Sequence, residues 1–234
     1  MAAKVPGPWG MCPLPPIDEG TLCLIPISPI FDVTSLPPVK YAARPLVMFF
    51  GGAWDAKSTL GKLFISWDQE GHHNMKRVCD KYNHPPHISS FYTWDEEAKA
   101  VDDILREIES DPELPLCLVG HSFGGDSAIS VAKKVHAKSK GYRIELVVTL
   151  DAVSPSAHFV RQKAKPANVH FWFNVYVEWE LEWNNLIAAI GGHWGEQKQA
   201  DSNVVMPKGI HHNDAVAMFD VIKGAVWNFH ALGK

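Results

Sequence analysis

Short apolar runs alternate with longer amphipathic stretches from residue 46 onward, and this alternation predicts a succession of strands and helices. Each apolar run is short enough for a strand and is bounded by glycine, proline or polar residues. An uninterrupted apolar run is typical of a parallel strand that is buried on both faces. The predicted strands cover residues 46–50, 88–94, 116–119, 144–150 and 169–177.

The amphipathic stretches between these runs predict helices. The clearest covers residues 95–110, where acidic residues at the start favour a helix N-terminus and one face is apolar. That face consists of Ala98, Val101, Ile104, Leu105 and Ile108. Further helices are predicted over residues 59–82 (with a break near Gly71), 127–138 and 215–229. Strands that alternate with helices in this way predict an α/β fold, with a mostly parallel sheet covered by helices on both faces.

The first 45 residues differ in composition from the rest of the chain, because they contain 10 of the 17 prolines. Proline fixes φ and lacks a backbone N–H, so this region cannot form a long helix or a central strand. We interpret residues 1–45 as an extended N-terminal arm with one short edge strand at 22–27, and residues 46–234 as the α/β domain. No apolar signal segment follows Met1, which predicts a cytoplasmic protein and leaves export without a cleaved signal open.

Charge and cysteine spacing exclude several functional classes. The net charge is −4 and no basic stripe is present, so we expect no nucleic-acid partner. The four cysteines form no C-x-x-C pair, and the histidine pairs lack carboxylates or cysteines at metal spacing, so we expect neither a metal nor another cofactor. A single disulfide between Cys12 and Cys23 stays open.

The segment L-C-L-V-G-H-S-F-G-G at residues 116–125 carries the strongest chemical signal. It places a G-x-S-x-G motif between a predicted strand and a predicted helix, which is the context of a nucleophile elbow. Such a turn holds its serine in a strained conformation and directs the positive end of the following helix at a developing oxyanion. Ser122 is therefore the predicted nucleophile.

With this elbow, residues 45–230 resemble the α/β-hydrolase superfamily, and within it lipases and related acyl-ester hydrolases. The resemblance implies a triad in the chain order serine, acid, histidine. Residues 212–215 (H-N-D-A) are similar to the H-x-D-A that carries the base in lipase-like relatives, so we favour His212, with His211 as the alternative. His193, in a glycine-rich loop, is a weaker candidate, and His121 is interpreted as structural.

The acid of the triad is expected at the end of a strand. Asp151 directly follows the strand predicted after the elbow, where pancreatic-type lipases carry their acid, although the proline of their Leu-Asp-Pro context is missing here. Other family members place the acid one strand later, which makes Glu178 the main alternative. Glu180, Asp201 and Asp214 are further alternatives, and Asp151 could instead cap a turn.

The oxyanion hole in this superfamily consists of two backbone N–H groups. One follows the nucleophile and belongs to Phe123. The other is expected in the loop after the first strand, which reads G-G-A-W-D and is similar to the H-G-G-G loop of esterases without its histidine. Ala53 is the expected donor there, with Gly52 as the second choice.

The resemblance predicts a serine hydrolase that cleaves carboxylic esters through Ser122, Asp151 and His212. The expected partner is a small-molecule or lipid ester, and contact with a membrane surface would be transient. A thioesterase or an acyltransferase would use the same triad, and a non-catalytic hydrolase-like binding module is a third alternative. Acyl length, head group, any lid and oligomeric state are not predicted by the sequence.

Overall fold

In the computed structural model of the protein, the strands form one parallel sheet and alternate with helices along the chain, as predicted. The structure describes residues 45–55, 74–82, 88–139, 141–154, 162–178 and 192–231. The predicted arm and its edge strand at residues 22–27 lie outside the described residues, as do Cys12, Cys23 and the first part of the helix predicted over 59–82.

Six strands form the sheet in the order β2-β1-β3-β4-β5-β6, and every neighbouring pair is parallel. The strands are β1 Leu46–Gly51, β2 Ile88–Thr93, β3 Leu116–His121, β4 Ile144–Leu150, β5 Val169–Tyr176 and β6 Ser202–Val205. The strands β1, β3 and β4 are buried at every residue, which explains why the sequence shows them as continuous apolar runs.

In the described part of the chain, four α-helices cover the two faces of this sheet. They are α1 Asn74–Tyr82, α2 Glu97–Ser110, α3 Phe123–Lys138 and α4 Ala215–Ala231. Alternate residues of β1 enter opposite cores: Met48 packs with residues of α2 and α3, whereas Phe49 packs with residues of α1 and α4. The prediction of an α/β fold with helices on both faces is thereby confirmed.

Two details of the predicted elements were wrong. Helix α3 begins at Phe123 rather than at residue 127, because Ser122 occupies its N-cap position and the elbow leads into the helix without a linker. Strand β6 was not predicted. It has only four residues, of which Ser202 and Asn203 are polar, so it shows neither an apolar run nor a clear alternation.

The strand order places the ends of β3, β4 and β5 side by side at the carboxyl edge of the sheet. In open parallel sheets this edge is where ligands bind, because loops from neighbouring strands converge there. Within the described residues, no helix combines the length and the apolar composition that a membrane span requires.

Candidate active site

The turn between β3 and α3 is strained at its serine. Ser122 has φ 55° and ψ −127°, and Ser122 and Asp151 are the only non-glycine residues with positive φ in the described part of the chain. Glycine is required at position 120, where a Cβ atom would lie 2.0 Å from the carbonyl oxygen of Gly124. Strain of this kind costs about 1–3 kcal/mol per residue and concentrates at functional sites.

Hydrogen bonds join Ser122, His212 and Asp151 in one chain. Ser122 Oγ lies 3.0 Å from His212 Nε2, and His212 Nδ1 lies 2.6 Å from Asp151 Oδ2. Ser122 is 1% exposed, and His212 and Asp151 are not exposed at all. The structure thus brings together the three side chains that the sequence singled out, although they are up to 90 residues apart.

Backbone hydrogen bonds hold the serine and the acid against each other. Ser122 donates its N–H to the carbonyl of Leu150 at the end of β4, and accepts from the N–H of Val153. Asp151 donates its own N–H to Val175 of β5 at 2.7 Å. The acid is therefore fixed between the elbow and β5 by the sheet itself.

His121 holds the loop that carries His212. Its Nε2 lies 2.6 Å from the carbonyl oxygen of His212, and because a carbonyl only accepts, Nε2 carries the proton. Burial and the nearby His212 together lower the pKa of His121 to about 4. His121 is therefore neutral near pH 7, which agrees with its interpretation as a structural residue.

Asp151 accepts hydrogen bonds from three donors. Besides His212, the backbone N–H of Val177 lies 3.0 Å from Oδ1, and His193 Nε2 lies 2.6 Å from the same oxygen. Burial alone would raise the pKa of Asp151, but the hydrogen bonds from His193 and His212 outweigh it and hold the pKa well below its usual range. Asp151 is thus a buried carboxylate that stays ionised.

The strand order, the strained turn at Ser122 after β3 and the position of Asp151 directly after β4 together identify the fold. The protein has an α/β-hydrolase fold. In this fold, the nucleophile projects from a strained turn at the carboxyl edge of the sheet, and the acid and the histidine come from later loops.

Comparisons with known proteins found similar solved structures at low sequence identity. No protein-family model and no curated protein matches the sequence. Human thioesterase 2 is 12% identical with a TM-score of 0.46, over 82% of this chain and 99% of that chain. Est1E from Butyrivibrio proteoclasticus is 13% identical with a TM-score of 0.43, over 85% and 92%. A putative YdeN-like hydrolase from Pectobacterium atrosepticum is 18% identical with a TM-score of 0.42, over 80% and 92%.

The loop after β1 passes next to Ser122. A Cβ atom at Gly52 would lie 2.8 Å from Cβ of Ser122. Gly52 was the second choice for the oxyanion donor. Its N–H donates to Asp55 Oδ2 at 3.1 Å, so this amide does not fit that role. Within the described residues, the N–H groups of Ala53 and Phe123 donate to no protein group.

Three of the alternative site residues lie elsewhere. His211 donates its backbone N–H to Asp214, which turns the chain toward α4. The side chain of Glu178 is exposed just after β5, whereas the backbone N–H of the preceding residue, Val177, is the group that reaches Asp151. Asp201 pairs with Lys165. In the described part of the chain, no three histidine, cysteine or acidic side chains are grouped for metal binding.

The contact between His193 and Asp151 is a feature that sequence reasoning missed. His193 was weighed only as a weaker candidate for the base, and it lies instead against the acid, 42 residues away in the chain. The glycine-rich context of the residue was the only available signal, since the contact depends on how two loops meet in the fold.

Asp55 is a buried carboxyl group that ties the loop after β1 to α1. Burial raises the pKa of Asp55 to about 7, although hydrogen bonds from the backbone N–H groups of Gly52 and Met75 act in the opposite direction. The side chain is 7% exposed. Charged side chains are rarely buried to this extent, so the sequence alone did not indicate it.

This raised pKa predicts that Asp55 destabilises the protein as the pH rises. The folded state keeps the proton up to about pH 7, whereas an unfolded aspartate loses it near 3.8. The stabilisation is therefore complete below the unfolded pKa and is lost as the pH rises through 7. At about 1.4 kcal/mol per pKa unit, the difference reaches about 4 kcal/mol.

Chemical denaturation of the wild type and of Asp55→Asn, from about pH 4 to about pH 8, measures this effect. Asparagine keeps an oxygen acceptor for the two backbone N–H groups but does not titrate. We expect the wild type to lose stability relative to the variant as the pH rises. Parallel stability curves would contradict the assignment.

Proposed function

We propose that the protein is a serine hydrolase that cleaves carboxylic esters through a triad of Ser122, His212 and Asp151. The chain of hydrogen bonds from Ser122 Oγ through His212 to Asp151 carries this proposal. A serine hydroxyl is a weak nucleophile on its own, and it becomes reactive when a neutral imidazole can take its proton. The three side chains meet that requirement at hydrogen-bond distance.

The protons in the triad follow from the acceptors. Ionised Asp151 can only accept, so His212 Nδ1 carries a hydrogen and Nε2 of the neutral ring has a free lone pair. That lone pair accepts the Ser122 hydroxyl. When Oγ attacks the ester carbonyl, its proton passes to Nε2, and Asp151 stabilises the imidazolium that forms.

The negative charge on the carbonyl oxygen of the substrate is stabilised in this proposal by the N–H groups of Phe123 and Ala53. The Phe123 N–H lies at the start of α3, where the helix leaves its first N–H groups unpaired and its dipole is positive. His212 then gives its proton to the departing alcohol, leaving an acyl group on Ser122. Water, activated in the same way, releases the acid.

The role of Asp151 predicts a large effect of a small substitution. The two donors on Oδ1 require an oxygen there, so in Asp151→Asn the amide NH₂ group faces His212. It then favours the tautomer in which Nε2 carries the hydrogen and cannot accept from Ser122. An Asp-to-Asn change of this kind costs about 10⁴-fold in kcat in the trypsin case.

Steady-state hydrolysis of a p-nitrophenyl ester by Asp151→Asn and by Glu178→Gln makes a matched comparison. The second variant removes the charge of the alternative acid, whose side chain is exposed, and we expect it to keep near-normal turnover. If Glu178→Gln is the crippled variant and Asp151→Asn is not, the acid is Glu178.

A substrate panel tests the proposed reaction. We expect turnover of p-nitrophenyl esters of increasing acyl length, with phospholipids and matched acyl thioesters as further arms, because the same triad cleaves both ester types. Ser122→Ala serves as the blank for each arm. Turnover of the thioesters alone would replace the oxyester assignment by a thioesterase. No turnover above the blank in any arm would contradict hydrolysis.

A further inference from the structure

His193 lies against the acid of the triad, on the side away from the base. Its Nε2 is 2.6 Å from Asp151 Oδ1, whereas His212 Nδ1 is bound to Oδ2. The carboxylate is therefore held between two imidazole rings. The His193 side chain is 12% exposed, while the Asp151 side chain has no exposure. The outer imidazole thus separates the buried carboxylate from solvent.

The direction of this hydrogen bond is fixed by chemistry. Asp151 is ionised and has no hydrogen to donate, so Nε2 of His193 carries the hydrogen. A hydrogen bond to a charged acceptor is shorter and roughly twice as strong as one between neutral groups. The contact is thus strong enough to orient the carboxylate.

The backbone around His193 is anchored to the residues that directly follow Asp151. His193 forms an antiparallel bridge with Val153, and the N–H of Trp194 donates to the carbonyl of Ala152 at 3.1 Å. On the other side, the N–H of Ser154 donates to the carbonyl of Gly192 at 3.3 Å. The loop and the acid therefore belong to one local structure.

The next residue, Trp194, is buried and anchors the loop that carries His193. Trp194 is 3% exposed, and its Nε1–H donates to Ser154 Oγ at 2.8 Å. Its ring meets the ring of Trp172 edge to face, with 6.4 Å between centroids. Because the loop is packed in this way, His193 is held at Asp151 in the resting protein.

We propose that His193 is a positioning residue, whose Nε2–H fixes the Asp151 carboxylate so that Oδ2 faces Nδ1 of His212. The inference rests on the proposed triad and adds a fourth side chain to it. The Val177 N–H is the other donor to Oδ1, and it acts from β5 without any side chain. Together the two donors fix the rotation of the carboxylate.

The charges around the acid predict how His193 affects the pH dependence of the reaction. Among the residues that the structure describes, the titratable groups that face Asp151 are His193 from its loop, His212 from the loop before α4 and His121 from β3. The N–H of His193 places a partial positive charge 2.6 Å from Asp151 Oδ1, so it weakens the stabilisation that the carboxylate gives to a positive charge on His212. Removing His193 should therefore move the acidic limb of the rate profile to higher pH.

Two substitutions of His193 distinguish the effect of its N–H donor from the effect of the space that its ring fills. His193→Phe keeps a planar ring without a donor, and His193→Gln offers an amide N–H at similar reach without titrating. His136→Ala, on the exposed surface of α3, controls for the general loss of a histidine. The readouts are kcat and KM for a p-nitrophenyl ester, and the rate at which a fluorophosphonate labels Ser122 as a function of pH.

We expect His193→Phe to lose about 10-fold in kcat and in labelling rate, the size of one hydrogen bond to a charged group, with KM unchanged. Its acidic limb should move to higher pH, and His193→Gln should restore most of the rate. Wild-type rates and an unshifted limb in a folded His193→Phe would overturn this inference alone. A wild-type protein that is not labelled at Ser122 would overturn the proposed function and this inference with it.

Discussion

Ser122→Ala is expected to lose ester hydrolysis almost completely while the protein stays folded. Without Oγ no acyl-enzyme can form, and removal of the nucleophile in the subtilisin series costs about 10⁶-fold in kcat. The substitution removes one oxygen atom and leaves the elbow backbone, whose strain is held by surrounding hydrogen bonds.

Turnover of the best ester in the panel, together with circular dichroism and a thermal melt, checks this expectation. The melt should show no loss of stability, because replacing the buried Ser122 side chain by alanine removes a single oxygen atom and creates almost no cavity. A folded variant that keeps more than about a tenth of wild-type turnover would show that Ser122 is not the nucleophile, since triad members act as one unit.

His212→Ala is expected to approach the same loss, because the serine and its base act as one unit and the removal of either costs about as much as the removal of both. His211→Ala provides the matched control, since it removes the neighbouring imidazole of the same loop. His211 contributes its backbone N–H to Asp214, and alanine keeps that group. We therefore expect a mild effect of the control.

The two histidine variants are compared at several pH values, with circular dichroism to confirm folding. A base is required in its neutral form, so any residual activity of His212→Ala should no longer show the acidic limb of the wild type. The reverse ranking, with His211→Ala inactive and His212→Ala active, would place the base on the other member of the pair.

The sequence predicted the parts of the fold that depend on local patterns. Continuous apolar runs such as residues 144–150 predict buried strands, and β4 has these bounds in the structure. The G-x-S-x-G motif located the strained turn at Ser122 because its glycines are needed where backbones approach closely. The start of α3 and strand β6 were missed, because a motif turn and a short polar strand show no periodicity.

The candidate site was predictable where a residue directly follows a strand or lies within a family-like motif. Asp151 was named because it follows a predicted strand, and His212 because residues 212–215 are similar to the H-x-D-A of lipase-like relatives. The structure places the two side chains in hydrogen-bond contact. The network around them was not predictable, because it depends on contacts between distant loops. His193 reaches Asp151 across 42 residues, and the buried carboxyl of Asp55 is held by the amides of neighbouring loop and helix residues.

The central claim, that Ser122 is a nucleophile activated by His212, is tested most directly by covalent labelling. A compact fluorophosphonate suits the site, because Ser122 is almost fully buried. Intact-mass and peptide mass spectrometry of the labelled wild type should show one adduct, located on Ser122, and His212→Ala should remain unlabelled over the same time. An unlabelled wild type, or an adduct on another serine, would contradict the account.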